Sequence, residues 1–515
     1  MTGIPIITIV TMTPLIGAAV LAVLDAANRR LARTLALAFS FAALAGAIVM
    51  WLSFDPSSSD LQMSERWDWI QTLNVQYYVG VDGLGMLMVL LTAIVTPLAI
   101  LASWRNEERV SLYFSLMLCL QAGLFGTFTA LNFFHWFFFW ELSLIPAFFL
   151  IKFWGGPDRS AAATQFFIYT MVGSVAMLLS FLAIYHATNL FDFIQLGKIG
   201  VTGELANQLN STYAGWKWFN IQHASLLIFA GVFLGFAVKV PLMPFHTWLP
   251  AAYTEAPTGT TMMLTGLMSK MGVYGFLRVL LPLFPDEMRL VLHPLLWLAV
   301  ATIVLPACAA FAQRDLKRVF AYSSINHLGY CLLGIFAVVT LTDKDNERAA
   351  ALNGVLLQMF NHGLTAPILF CFVGFLEQRS GGLRGLNDFG GLRKVAPVFC
   401  GLMGIAIFAS LGLPGLNGFV GEFLIFKGTF ALAGWSAAWS VIGLLVTAIF
   451  LLTLIQRVFN GPLKEKWRAF ADLTWRERAI VVPAIALMFV IGIYPQFLIG
   501  KFNETVLHLV NQLKF

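Results

Sequence analysis

The stretch Gly231–Pro250, GVFLGFAVKVPLMPFHTWLP, decides the fold. It is an apolar run of membrane-spanning length, interrupted in its middle by Lys239, Pro241 and Pro244. Each proline removes a backbone donor and clashes with the carbonyl four residues earlier, so the helix bends or unwinds here. In lipid, such a break survives only inside protein or beside water. A lysine at the break costs about 2.5–3.5 kcal/mol to insert and marks a functional candidate. Alternatively, Lys239 lies near the end of a membrane-spanning helix and extends its ammonium to the membrane–water interface.

The composition indicates a protein that crosses the membrane many times. Of 515 residues, 59% are hydrophobic and 11% are charged, against about 25% charged in soluble domains. The net charge of +6 fits loops that face an anionic membrane surface, and without an aromatic-basic motif no nucleic-acid partner is predicted. The five cysteines lack paired spacing, so we expect no metal site, iron–sulfur cluster or disulfide framework. ATP hydrolysis is not expected, since the chain lacks a Walker A motif.

Fourteen apolar runs are long enough to span a bilayer, which predicts an all-α polytopic fold. The runs lie near 4–24, 34–53, 83–103, 111–130, 132–152, 162–187, 222–248, 259–281, 290–311, 319–340, 349–375, 396–425, 433–456 and 478–500. Only a short turn around Asn132 separates the fourth run from the fifth, so a count of thirteen also remains open.

Basic residues are concentrated in the loops that follow odd-numbered helices. The positive-inside rule therefore places these loops in the cytoplasm and both termini on the periplasmic side of a bacterial inner membrane. The connections near 54–80 and 188–221 are polar and are expected at the outer surface. The basic segment 457–478 is either an amphipathic helix on the cytoplasmic face or a solvated loop.

A second broken run, Ala409–Phe423 (ASLGLPGLNGFVGEF), has Pro414 in its middle and also carries the ionisable Glu422. Paired broken helices in two halves of a transporter indicate an inverted repeat with ion sites at the breaks. Two five-helix repeats, with helices 7 and 12 broken, fit the helix count. The predicted divisions are N-terminal helices in 1–109, a first repeat in 110–282, a second repeat in 283–457 and a final segment with helix 14 in 458–515.

Ionisable residues within the apolar runs are the candidates for proton transfer. Glu141, in FFHWFFFWELSLIPAFFL, is expected to pair with Lys239 because each alone is a buried charge; a purely structural ion pair is the alternative. His327 and His362 suit proton relay, although a lone helical histidine is often an ordinary core residue. The complete predicted proton-transfer set is Glu141, Lys239, Lys270, His327, His362 and Glu422.

Several of these motifs resemble the antiporter-like subunits of respiratory complex I. They are FFFWELSLIPAFFL, VKVPLMPFHTWLPAAYTEAPT, LMSKMGVYGFLR, RDLKRVFAYSSINHLGY and LPGLNGFVGEF, and they extend over helices four to thirteen. The resemblance implies a half-channel centred on Glu141 and Lys239, with Lys270 linked to a polar axis that reaches Glu422. Where the family often has an acidic residue and then histidine after HTWLP, this chain has Ala251, Ala252 and Tyr253, so the resemblance does not imply a proton-uptake role for these side chains.

The resemblance also implies partner subunits and places the redox cofactors on them. It predicts a proton-translocating subunit of NADH:quinone oxidoreductase, with no cofactor in this chain and with NADH, FMN, iron–sulfur clusters and quinone on partner subunits. The implied partners are other complex I membrane subunits, including the sister antiporter-like subunits L and N, and membrane lipids. The alternatives are a subunit of an Mrp-type cation/proton antiporter, a membrane-bound hydrogenase subunit, a substrate transporter with a mid-membrane pocket, or a structural scaffold.

Overall fold

The computed structural model describes residues 4–25, 27–214 and 223–513, and most of these residues are helical. The N-terminal half contains α1 (Ile6–Ala22), α2 (Arg29–Ser53), β1 (Gln62–Ile70), β2 (Val75–Val81), α3 (Gly83–Ala102), α4 (Val110–Thr129), α5 (Phe133–Trp154), α6 (Arg159–Thr188), α7 (Phe193–Val201), α8 (Glu204–Tyr213), α9 (Ala224–Lys239) and α10 (Trp248–Glu255).

The C-terminal half continues with α11 (Thr258–Leu283), α12 (Pro285–Leu290), α13 (Leu292–Ala312), α14 (Leu316–Ala337), α15 (Asp345–Ser380), α16 (Pro397–Ser410), α17 (Asn417–Leu432), α18 (Gly434–Val458), α19 (Trp475–Ile493) and α20 (Gln496–Gln512). Two π-helical segments, Leu264–Met268 and Phe276–Leu280, lie within α11. Such segments are rare and are often found at functional sites.

Ten helices of the described chain are long and apolar enough to cross a membrane: α2 to α6, α11, α13 to α15 and α18. The pair α19 and α20, bent by 63°, adds an eleventh if it is one span. The helices α1, α9 and α16 are apolar but shorter. The polytopic all-α fold is therefore confirmed, whereas the exact count of fourteen stays a prediction because it depends on these short and broken segments. The turn at Asn132 does separate α4 from α5.

Both proline-containing breaks occur where the sequence predicts them. The first separates α9 from α10 after Lys239, and the second separates α16 from α17 around Pro414. Corresponding helices pack in the same way in the two halves: α4 on α5 and α13 on α14, then α6 on α9 and α15 on α17. This repeated packing supports the inverted repeat, and the division at residues 110, 283 and 458 stays a prediction.

The connection near 54–80 is an antiparallel hairpin of β1 and β2, not an irregular loop. Alternation in QMSERWDWI and VQYYVGV, with a turn at Asn74 (φ 51°), explains the hairpin. Glu65 on β1 accepts the Ile7 and Thr8 amides at 2.9 and 3.3 Å, so the hairpin satisfies free donors at the start of α1.

The two other polar connections differ in structure. The segment 188–221 contains α7 and α8, and its residues 215–221 lie outside the described chain. The segment 457–478 contains a short 3₁₀ turn at Glu465–Trp467 and no longer helix before α19. A loop on the basic face is therefore the correct interpretation of that segment.

Candidate functional site

The first break releases backbone groups that side chains then satisfy. The Val238 carbonyl accepts a hydrogen bond from the Trp248 indole at 3.0 Å. The Met243 amide donates to the Thr302 hydroxyl of α13 at 3.0 Å. Because these groups are paired inside protein, the chain can leave helical geometry at membrane depth. The break thus holds Lys239 at a fixed position at the end of α9.

Lys239 is 2% exposed, and its Nζ has no hydrogen-bond partner within the described residues. The ammonium lies 4.9 Å from the centroid of the Trp140 ring. An aromatic face attracts a cation, and more strongly where water is excluded. The indole is itself oriented by a hydrogen bond to Ser174 on α6 at 3.0 Å. Lys239 is therefore buried in the protein, and the interpretation as an interfacial side chain is wrong.

Glu141 follows Trp140 on α5 and is partly buried. Within the described chain, Glu141 and Lys239 form no direct ion pair. The Glu141 Oε1 atom is buried without a hydrogen-bond partner in the described chain. The expected pairing of Glu141 with Lys239 is therefore not a direct contact in this structure, where the Trp140 ring lies against the ammonium.

Lys270 lies on α11 and is fully buried. Its Nζ is 2.7 Å from His362 Nδ1 on α15 and donates to the Thr265 carbonyl five residues earlier. Thr265 belongs to the first π-helical segment of α11. The π-helical turn is wider than an α-helical turn, and the Thr265 carbonyl is available to Lys270 there. The surroundings of Lys270 therefore depend on backbone geometry as well as on the neighbouring side chains.

A continuous line of ionisable groups extends from Lys270 across the second half. The His362 ring lies 5.4 Å from the His327 ring, measured between centroids. His327 Nδ1 lies 3.1 Å from Glu422 Oε1, and its Nε2 lies 3.1 Å from the Ser410 hydroxyl. Gln358 donates to the same Glu422 oxygen at 3.3 Å. Four of the six predicted proton-transfer residues, Lys270, His362, His327 and Glu422, are therefore brought together, and we call them the central line.

The second break positions the Glu422 end of the central line. Gly412 has φ +78°, and a Cβ atom added there would lie 2.8 Å from Glu422 Oε2. Asn417 and Asn361 exchange hydrogen bonds: the Asn361 amide group donates to the Asn417 carbonyl at 2.6 Å, and the Asn417 amide group donates back at 3.2 Å. A glycine and paired asparagines thus hold the unwound chain against α15.

A small polar cavity lies at this break. Its volume is about 10 Å³, and its lining includes His327, His362, Ser410 and Glu422. A space of about 10–15 Å³ holds one water molecule when several polar partners face it. The central line therefore includes room for one water molecule between its side chains.

A larger cavity of about 870 Å³ opens at the membrane face where α3 ends and α14 begins. Lys317 lines it and pairs with Glu377 at 3.1 Å, and Arg384 pairs with Asp315 at 2.5 Å and Glu377 at 3.4 Å. Although Lys317 lies at the start of a helix beside a basic loop, its side chain is buried. We call this cavity the vestibule.

A hydrogen-bonded set of hydroxyl groups leads inward from the vestibule. Ser103 and Tyr113 both line it, and their hydroxyl oxygens are 2.9 Å apart. The Tyr113 hydroxyl is 3.3 Å from that of Thr260 on α11, the helix that also carries Lys270. Further along α11, the Thr265 and Ser324 hydroxyl oxygens are 3.2 Å apart. Hydroxyl groups both donate and accept hydrogen bonds, so they suit proton transfer.

Sequence patterns do not single out these supporting groups. Ser410 and Gln358 are polar residues within apolar helices, where packing is the more common role, and only the three-dimensional structure places them on His327 and Glu422. Within the described chain, no group of three or more His, Cys, Asp or Glu side chains is arranged to hold a metal ion.

Comparison with known proteins places this geometry in a family. The family model described as NADH:quinone oxidoreductase/Mrp antiporter, transmembrane, matches residues 130–451. The NADH-quinone oxidoreductase subunit M of Rhodobacter capsulatus is 36% identical over 511 residues, 98% of this chain and 96% of the relative.

Two solved structures share the fold. A chain of respiratory complex I from Thermus thermophilus with bound NADH has 26% identity and a TM-score of 0.83, covering 99% of this chain and 100% of that one. A chain of the Mrp complex from Dietzia sp. DQ12-45-1b has 19% identity and a TM-score of 0.84, covering 99% and 98%, which shows the fold alone. The chain therefore belongs to the antiporter-like membrane-subunit family of NADH:quinone oxidoreductases and Mrp antiporters, and it matches subunit M relatives over nearly its whole length.

Proposed function

We propose that this chain is the proton-translocating subunit M of an NADH:quinone oxidoreductase and that the central line carries the proton. The observation that supports this most strongly is the series Lys270, His362, His327 and Glu422, with the contacts described above. A series of lysine, histidine and carboxylate groups at membrane depth is typical of proton relays in pumps and transporters.

In this mechanism a proton enters from the vestibule through the hydroxyl groups of Tyr113 and Thr260 and reaches Lys270. Lys270 passes it to His362 Nδ1, and the two imidazoles together with the water-sized cavity carry it to Glu422. A histidine accepts a proton on one ring nitrogen and releases one from the other, so it suits a two-sided relay. The Lys270–His362 and His327–Glu422 steps of this route join groups that are in contact.

Glu141 and Lys239 have a different role in the proposal. Because they interact without direct contact, the strength of their attraction changes steeply with small movements of α5 or α9. When the carboxylate approaches, the protonated form of Lys239 is favoured; when it withdraws, the lysine releases its proton more readily. Neighbouring subunits set this separation, and thereby control when the pair accepts and releases a proton.

The redox chemistry belongs to other subunits in this proposal. NADH, FMN, iron–sulfur clusters and quinone are bound elsewhere in the complex, and this chain contributes to the enzyme as a translocase subunit with no redox site of its own. Its partners are further membrane subunits, including the sister subunits L and N. The vestibule faces the cytoplasm of a bacterial cell, and both termini lie on the periplasmic side of the inner membrane.

A subunit of an Mrp-type cation/proton antiporter is the second candidate, favoured by the fold shared with the Dietzia complex. A mild-detergent purification of the tagged chain from its native membrane distinguishes the two. Flavin, iron–sulfur signals and NADH-dependent quinone reduction in the purified complex support the first candidate. A redox-inert assembly of membrane subunits that exchanges sodium for protons supports the second.

The mechanistic test is Glu141→Gln in the assembled complex. The change removes the charge that acts on Lys239 and keeps the side-chain volume, so NADH-driven proton pumping should fall severely while the complex still assembles. Glu204→Gln, at an exposed position on α8, is the matched control and should pump normally. Normal pumping by the Glu141 variant at an unchanged rate of NADH oxidation would contradict the role of the pair.

A further inference from the structure

A basic cavity lies apart from the central line, at the membrane face where α2 and α19 begin and α3 and α15 end. Its volume is about 880 Å³, within the range of about 300–1,000 Å³ typical of ligand sites. Four arginines line it: Arg30, Arg33, Arg105 and Arg476. Helix ends mark the depth of lipid headgroups, so the cavity lies at the level of the phosphate layer. We call it the arginine cavity.

The positive charge of the arginine cavity is not neutralised by the described residues. None of its four arginines has an ion-pair partner there: Arg33 donates to the Asn106 carbonyl at 2.7 Å, and Arg105 donates to the Gln378 amide at 3.0 Å. Glu477 is the one carboxylate in the lining, and it is held by Arg379 at 2.5 and 2.9 Å. The cavity is therefore complementary to an anion.

The remaining lining is apolar and aromatic. Leu101, Phe375 and Ile480 form the apolar wall, Trp104 also lines the cavity, and the exposed Trp475 lies at its rim. Trp475 is 74% exposed, and the Arg476 guanidinium lies 5.7 Å from its ring centroid. Tryptophan is enriched at membrane interfaces, where one side meets hydrocarbon and the other meets headgroups. A free inorganic anion would make no favourable contact with these apolar and aromatic side chains, whereas the acyl chain of a lipid would.

We propose that the arginine cavity binds an anionic phospholipid, with its phosphate among the arginines and an acyl chain along the apolar wall. Arginine binds phosphate with directed hydrogen bonds as well as charge. Basic cavities between helix ends on the cytoplasmic side suit anionic headgroups. The proposal concerns a site separate from the central line and stands whether or not that line carries protons.

The test uses a photo-cross-linker in the full chain within its complex. Trp475→p-benzoylphenylalanine places the reactive group at the rim of the cavity. The complex is reconstituted into vesicles of phosphatidylcholine mixed with phosphatidylglycerol, irradiated, and the adduct is identified by mass spectrometry. We expect phosphatidylglycerol adducts well above their share of the vesicle lipid. Because each arginine near an anionic headgroup favours binding by about fivefold, Arg30→Gln with Arg476→Gln should lower this preference about 25-fold.

Controls separate binding from general surface charge. Arg318→Gln with Arg457→Gln removes the same charge from exposed positions outside the cavity and should leave the preference intact. Arg30→Lys with Arg476→Lys should retain most of it. Adducts with a neighbouring protein, adducts in proportion to lipid composition, or complete competition by excess inorganic phosphate would each overturn the proposal.

Discussion

Replacement of His362 by asparagine tests the central line most directly. The Lys270 ammonium lies 2.7 Å from His362 Nδ1. Asparagine places its Oδ1 close to the position of that nitrogen, so Lys270 keeps an acceptor while the group that takes up and passes on a proton is lost. His362→Ala, by contrast, removes the acceptor and leaves a cavity beside a buried ammonium.

The expected magnitudes follow from this difference. Proton transfer by a positioned side chain contributes about 10²–10⁴-fold to rate, so His362→Asn should reduce the rate of proton transfer through this chain by about 100-fold or more. Stability should change little, because a hydrogen bond to a charged group, worth about 1.5–3 kcal/mol, is retained. His362→Ala should lose this hydrogen-bond contribution to stability and should also lose proton pumping.

The assay is acidification of inverted membrane vesicles, followed with a pH-sensitive dye while NADH oxidation is recorded in the same sample. Thermal unfolding of the purified complex reports stability. His293→Asn, at an exposed position at the start of α13, is the control and should behave like the parent. Full pumping by His362→Asn would show that the proton does not pass through this imidazole and would refute the central line as the route.

Three further changes test other parts of the site. Lys239→Arg should assemble but fail to pump, since arginine keeps its proton; retained pumping would favour electrostatic control over proton carriage. Gly412→Ala should lower the free energy of unfolding by about 1–3 kcal/mol, because φ is +78° and the added carbon meets Glu422. The control in thermal unfolding is Gly404→Ala, since open space surrounds Gly404. Thr302→Ala should cost about 1–3 kcal/mol by leaving the Met243 amide without a partner, and a proteolysis assay of the break would detect this.

The sequence predicted the breaks because their causes are local. Pro241, Pro244 and Pro414 cannot continue a helix, and Lys239 and Glu422 are conspicuous within apolar runs. Both breaks and the burial of both side chains were therefore predictable from the chain alone. The hairpin of β1 and β2 is not evident from the long apolar runs, because its strands are much shorter than a membrane span and carry polar as well as apolar residues.

Contacts between helices were less predictable. The Glu141–Lys239 pair was expected from charge balance, but the structure places the Trp140 ring against the ammonium. The Thr265 carbonyl became a ligand of Lys270 through a π-helical turn, and no side-chain pattern encodes that. Distances across helices depend on packing of the whole bundle, whereas local breaks depend on a few residues.

The two parts of the site are joined where α9 meets α11. A Cβ atom on Gly272 would lie 2.9 Å from both the Phe236 carbonyl and the Val240 amide, so the two backbones touch at the end of α9 that carries Lys239. Gly272 lies two residues after Lys270 on α11. Packed backbones cannot move independently. A shift of the end of α9 toward Glu141 would therefore also displace the part of α11 beside Lys270, and in the proposed mechanism this couples the paired charges to the central line without a shared hydrogen bond.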